Sequence, residues 1–101
     1  MTFTVHCGDF ASEEDEDDTW EVEGFSTLAT AQEYARRFIR AQIEDLRDEA
    51  ETSAALKEIY LMWGEYAAAE DFDSAAWVDY CIAHPASRKA ETDYDALDPN
   101  P

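Results

Sequence analysis

The sequence predicts an α+β fold: a small antiparallel β-hairpin packed against three helices, in the order β-β-α-α-α. Three observations carry this. Two short segments, 2–7 and 19–23, alternate apolar and polar residues. A long apolar stripe with helical period runs from Leu28 to Leu46. Two shorter helical stripes follow it, each introduced by a polar capping residue. A period of two puts side chains on alternate faces of a strand, and a period near 3.6 gathers them on one face of a helix.

In the first strand Phe3, Val5 and Cys7 share one face, while Thr2, Thr4 and His6 share the other. In the second, Trp20 and Val22 oppose Thr19, Glu21 and Glu23. Between them runs the acidic segment Glu13-Glu14-Asp15-Glu16-Asp17-Asp18. Contiguous like charges repel, so a mobile, solvated loop is expected there.

Gly24 ends the second strand, and Thr27 or Thr30 caps the first helix. Thr30 with Glu33 fits a capping box, while Thr27 better matches the onset of the apolar period. Leu28, Ala31, Ala35, Phe38, Ile39, Gln42 and Leu46 make the buried stripe. Glu33, Arg36, Arg37, Arg40, Glu44, Arg47 and Asp48 make the opposite face, with Glu33–Arg37 and Arg40–Glu44 at ion-pair spacing. Four of the chain's seven basic residues lie on this one helix, which leaves the remainder more acidic than the average.

A second helix is expected from Thr52 or Ser53 through Ala68, with Leu56, Ile59, Tyr60, Trp63 and Ala67 facing the core. At the centre of that stripe Trp63 should be buried, and Trp63→Ala should cost about 3–5 kcal/mol. Asp73 caps a third, short helix; Phe72 and Trp77 have the spacing of a hydrophobic staple. Trp77, Val78, Cys81 and Ile82 face inward, and Pro85 follows the helix end. All three Trp are expected to pack in the core. Residues 1–85 are read as a single compact acidic domain. Residues 86–101 lose apolar periodicity and are read as a disordered acidic tail.

Composition narrows the function. The chain has 25 acidic and seven basic residues, a formal charge of −18 over 101 residues. Such a field repels nucleic acid and acidic membranes and attracts basic protein surfaces. No apolar run approaches the ~18–20 residues of a membrane span. The first residues lack the basic and apolar regions of a signal peptide, so the cytoplasm is the expected compartment. Cys7 and Cys81 fall on predicted core faces and are expected to be buried free thiols.

Motifs for chemistry are missing from the sequence. A calcium loop opening at Asp15 would put Trp20 at the turn glycine and Ser26 at the closing bidentate position, so no metal is expected. His6 and Cys7 point to opposite faces of a strand. His84 and Cys81 could approach on a helix, but a buried thiol is inert. The three glycines are scattered and form no phosphate loop. Neither catalytic residues nor a cofactor are expected.

The expected function is therefore that of a small non-enzymatic regulator or adaptor, acting by contact with a basic protein surface. Leu61 and Gly64, on a smooth strip with Lys57 and Ala68, are one candidate contact; Tyr94 and Leu97 in the tail are another. A second copy of the chain is a further candidate partner. The alternative reading is nucleic-acid mimicry. Glu44, Asp48, Glu51, Glu58 and Glu65 on rigid helices would form a phosphate-like row, with Glu51, Glu58 and Glu65 roughly 10 Å apart. Glu70, Asp71 and Asp73 would extend it. In length and charge the chain resembles small acidic inhibitors of the phage anti-restriction and anti-CRISPR kind, which implies a nucleic-acid-binding protein as target. A third reading is that the acidity reflects a high-salt habitat alone.

Overall fold

A computed structural model describes residues 2–10 and 19–100. The acidic segment 13–18 lies outside the described residues. The fold is α+β, as the sequence predicts, with a three-stranded antiparallel sheet and three helices. Strand β1 spans Phe3–Asp9 and β2 spans Thr19–Phe25. Helix α1 covers Leu28–Arg47 and α2 covers Ser53–Trp63; β3 spans Glu65–Ala68, and α3 covers Ser74–Ala83. The strand order β2-β1-β3 puts the first strand in the middle.

The helix caps lie where the sequence puts them. The Thr27, Thr52 and Asp73 side chains each accept a hydrogen bond from the backbone N–H three residues on, satisfying a donor that the first helical turn leaves free. Val5, Cys7, Val22 and Phe25 from the sheet meet Ala31, Tyr34, Ala35, Phe38, Ile39 and Ile43 of α1 in one core. Leu56 and Tyr60 of α2, and Val78, Cys81 and Ile82 of α3, close it. His6 lies on the outer face beside Glu21, its Nδ1 3.1 Å from the carboxylate.

The third strand is the main departure from the sequence reading. Helix α2 does not run to Ala68; it ends at Trp63, and Gly64 starts the chain straight into β3. A Cβ at Gly64 would lie 2.6 Å from Tyr60 Cδ1 and 2.7 Å from the Tyr60 carbonyl oxygen. Glycine is needed there for close approach, since its backbone is extended. The Gly64 N–H donates to Tyr60 O, the Phe10 N–H donates to Gly64 O, and the Tyr60 hydroxyl donates to Glu65 O. Helix end and strand start are thus welded by three hydrogen bonds. Ala67, expected on the helix stripe, is buried from the strand instead. Beyond β3, Gln32 donates to the carbonyls of Glu70 and Asp71 and holds the turn in which Asp71 has φ 53°.

The face of α1 expected to be solvated is also different. Arg40 does not pair with Glu44; it is 3% exposed and donates to His84 O at 2.8 Å, beneath the rings of Trp77 and Tyr80. Arg47 donates to the carbonyls of Cys81 and Ile82 and pairs with Glu44 at 2.7 Å. The cause is the C-terminus of α3, whose last carbonyls have no partner inside the helix and draw guanidinium donors. The Glu33–Arg37 pair does form, at 3.1 Å.

Residues 86–100, read from the sequence as a disordered tail, include two short 3₁₀ turns, Lys89–Thr92 and Asp95–Leu97. The Tyr94 ring packs edge-on against Tyr34 and Phe38, at centroid distances of 5.6 and 5.1 Å, and Leu97 also packs on the core. Arg37 holds Asp93 O, and Asn100 donates to Glu23 O. Tyr94 and Leu97 are therefore used internally.

The tryptophans divide as well. Trp77 is partly buried and its indole N–H donates to Arg36 O. Trp20 is 39% exposed with its ring edge-on to Phe38, and Trp63 is 65% exposed. Trp63 reaches past the end of the core because α2 stops there. Its expected burial, and the large cost of removing it, are corrected accordingly. In urea denaturation, Tyr60→Ala should lose about 3–5 kcal/mol, as a fully buried ring. Trp63→Ala should lose less than about 1 kcal/mol, as a surface change.

Candidate interaction surface

Three consecutive large apolar residues end α2, and all are open to solvent: Leu61 at 47%, Met62 at 49% and Trp63 at 65%. Neighbours on a helix are rotated by about 100° from one another, so the three point in different directions around the last turn. They form a collar at the helix end, held in place by the Gly64 junction. Large apolar side chains this exposed are unusual on an otherwise charged surface and make this helix end the candidate contact.

On the Leu61 side the collar runs into a groove between α2 and α3, with a volume of about 260 Å³. Ile39, Tyr60 and Val78 line it from the core, Phe10 and Tyr66 from the sheet, and Lys57, Leu61, Ser74 and Ala75 from the two helices. The Phe10 ring stands edge-on to Tyr60, with centroids 5.3 Å apart. Lys57 Nζ lies 2.8 Å from Asp79 on α3, and both side chains are exposed. A further cavity of about 450 Å³ lies at the open end of β1, between Thr2–Thr4, His6 and Ala68–Glu70.

The acids named from the sequence do not assemble into a row. Glu44 is half-buried and used internally: it pairs with Arg47 and accepts from the Ala86 N–H. These bonds hold its carboxyl below the ordinary range against the opposing effect of burial. Asp48 caps the end of α1 and is exposed. Glu51 is exposed but precedes α2, beside a cavity of about 200 Å³ that Arg47 and Leu56 also line. Glu58 is exposed on α2.

Glu65 is on β3 rather than on the helix, partly buried and opposite Asp9 in the strand register. Its carboxyl is pushed up by burial first and by the Asp9 charge second, while the hydrogen bond from Gln42 opposes both. Of the named apolar positions, Leu61 is in the groove and on the surface. Gly64 is buried and serves as the joint. Met62 and Trp63 were not singled out as contacts. The signal for them was Gly64, a common helix terminator, which frees the last turn from the core.

The nucleophile candidates are quiet. Cys7 and Cys81 are buried and unpaired in disulfides. Burial, reinforced by the Glu65 charge, pushes the Cys7 thiol up to about 12, and burial pushes Cys81 up to about 11. Thiols so placed stay protonated. His84 stacks on Tyr80, with centroids 4.3 Å apart, and its Nδ1 lies 3.0 Å from Tyr80 O. No helix among the described residues is long and apolar enough to cross a membrane.

Comparison with protein-family models, with curated proteins and with solved structures finds no match to this chain.

Glu65 and Glu44 should respond oppositely to pH. The raised carboxyl of Glu65 favours the folded state when protonated, so its stabilising effect is present at low pH and lost as pH rises through its folded value. Glu65→Gln should therefore raise the melting temperature at pH 7, and the gain should shrink as pH falls through the carboxylate range. The lowered carboxyl of Glu44 stabilises above its unfolded value and loses that effect as pH falls through its folded value. Glu44→Gln should lower the melting temperature at pH 7 and matter least in acid. Thermal melts of both variants across the acid range check the pair of signs.

Proposed function

We propose that this chain is a small non-enzymatic regulator or adaptor that acts by contact with a basic protein surface. The observation that carries the reading is Trp63, 65% exposed at a rigid helix end in a chain of charge −18. Tryptophan at the centre of a contact can supply a large part of its binding energy. The acidic field adds encounter rate and orientation toward a basic partner. The two buried free thiols suit a reducing compartment, and the cytoplasm is the location this reading adopts.

Nucleic-acid mimicry is the competing reading. It needs carboxylates held at fixed spacing along a rigid element. Glu44 and Glu65 are drawn into internal contacts, and Glu51 lies before the helix, which leaves Glu58 as the one member of the proposed row on α2. That weighs toward an apolar contact surrounded by diffuse negative charge.

The test is a pull-down from native cells with wild-type protein and Trp63→Ala, followed by titration of the recovered partner. The contact reading expects a basic protein, an affinity loss of at least about tenfold on Trp63→Ala, and no displacement by duplex DNA. Replacing Glu13, Glu14 and Asp15 by their amides should chiefly slow association and flatten its salt dependence. Displacement by DNA with Trp63→Ala unaffected would instead establish mimicry.

A further inference from the structure

Resting on that reading, we infer that the groove between α2 and α3 receives one large apolar side chain from a basic, amphipathic helix of the partner. Three features point to this occupant. The first is the groove's wall: Phe10, Ile39, Tyr60, Leu61, Tyr66 and Val78 present mostly carbon, and the space is about 260 Å³. Drug-sized ligands require roughly 300–1,000 Å³, whereas a single inserted side chain fits. The second is its shape. The recess opens between the exposed faces of two helices, Leu61 on α2 and Ala75 on α3, where a partner helix can set one anchor side chain in the helix-in-groove manner.

The third is charge. The chain carries a charge of −18, and Glu58 on α2 and Asp79 on α3 are exposed on the two helices that flank the groove. Lys57 is the one basic side chain in the lining, and it is already bound to Asp79 across the two helices. That bridge is exposed and therefore weak, so an incoming Lys or Arg can replace Lys57 at Asp79. The partner helix is thus apolar on the face that enters the groove and basic on its flanks. An acidic helix would meet the same wall but an opposing field, and a neutral helix would gain nothing from it.

The experiment uses the whole chain and a 14-residue amphipathic peptide made of leucine and lysine alone. Oligolysine of equal charge and the leucine–glutamate counterpart serve as controls. Methyl resonances of Ile39 and Val78 report the groove, and those of Met62 report the collar. The leucine–lysine peptide should shift the Ile39 and Val78 signals, and both controls should leave them in place. Ala75→Trp, on an exposed groove wall, should fill the site and weaken the peptide at least about tenfold. Ala75→Leu is the gentler version if the tryptophan lowers the melting temperature.

Equal binding of oligolysine, or full affinity in both Ala75 variants, overturns the inference. Shifts confined to Met62 and the Trp63 indole would overturn the groove as the receptor while leaving the contact reading standing. Concentration-dependent shifts at Ile39 and Val78 without peptide would make a second copy of the chain the occupant, which also overturns it.

Discussion

The arrangement depends on the arginines of α1 reaching the carbonyl end of α3. A helix leaves its last carbonyls without intrahelical donors, and a buried helix end must find them elsewhere. Arg40 supplies one to His84 O, and Arg47 supplies two to Cys81 O and Ile82 O. The positive groups also sit at the negative end of the α3 dipole. Arg40 is enclosed between this helix end and the rings of Trp77 and Tyr80, where its charge is shared with two π-faces. Glu44 then completes the set by holding Arg47 and the Ala86 N–H, which steers the chain out of α3 toward the C-terminal turns.

Five of the seven basic residues are engaged within the fold, while Arg88 and Lys89 are exposed. Arg36, Arg37, Arg40 and Arg47 are engaged with Glu33, Glu44 and main-chain carbonyls, and Lys57 with Asp79. Arg37, Arg40, Arg47 and Lys57 link different elements, while Asp48, Glu51, Glu58, Glu70 and Asp73 remain on the surface. A highly charged surface keeps a protein soluble in spite of an exposed apolar patch. The field and the apolar collar therefore belong to one design: charge permits the exposure of Leu61, Met62 and Trp63 without self-association being forced.

How much of this was legible in the sequence follows from what each element relies on. Thr27, Thr52 and Asp73 were readable because caps act on residues three positions away. Much of the α1 stripe was readable because its period repeats over 20 residues, although buried Tyr34 and Ile43 were left off it, and Val78, Cys81 and Ile82 of α3 were readable from their spacing. Gly64 was not, because an alanine-rich stretch after it continued the helical pattern, and the reason for glycine is the Tyr60 ring folded back on it. Arg40 was misread for a similar reason: its partner, His84 O, is 44 residues away. Tyr94 leaves no periodic trace, since a single aromatic anchor suffices to bring the C-terminal turns onto Tyr34 and Phe38. Of the surface positions, the exposure of Leu61 and Glu58 was legible, whereas that of Met62 and Trp63 was missed along with the helix end.

The Gly64 junction also separates stability from contact. Tyr60 and Trp63 lie within one helical turn, yet Tyr60 is sealed in the core and Trp63 is mostly in water. By ending α2 at Trp63, the chain leaves that ring at the surface and uses the following residues as the third strand. That strand in turn sets Tyr66 beside Phe10, with centroids 5.3 Å apart, and completes the wall of the groove. The same junction thus produces both the exposed collar and the recess beside it. Substitutions at Met62, Trp63 or Ala75 can change the surface while Tyr60, Gly64 and the α1–α3 clamp continue to hold the fold.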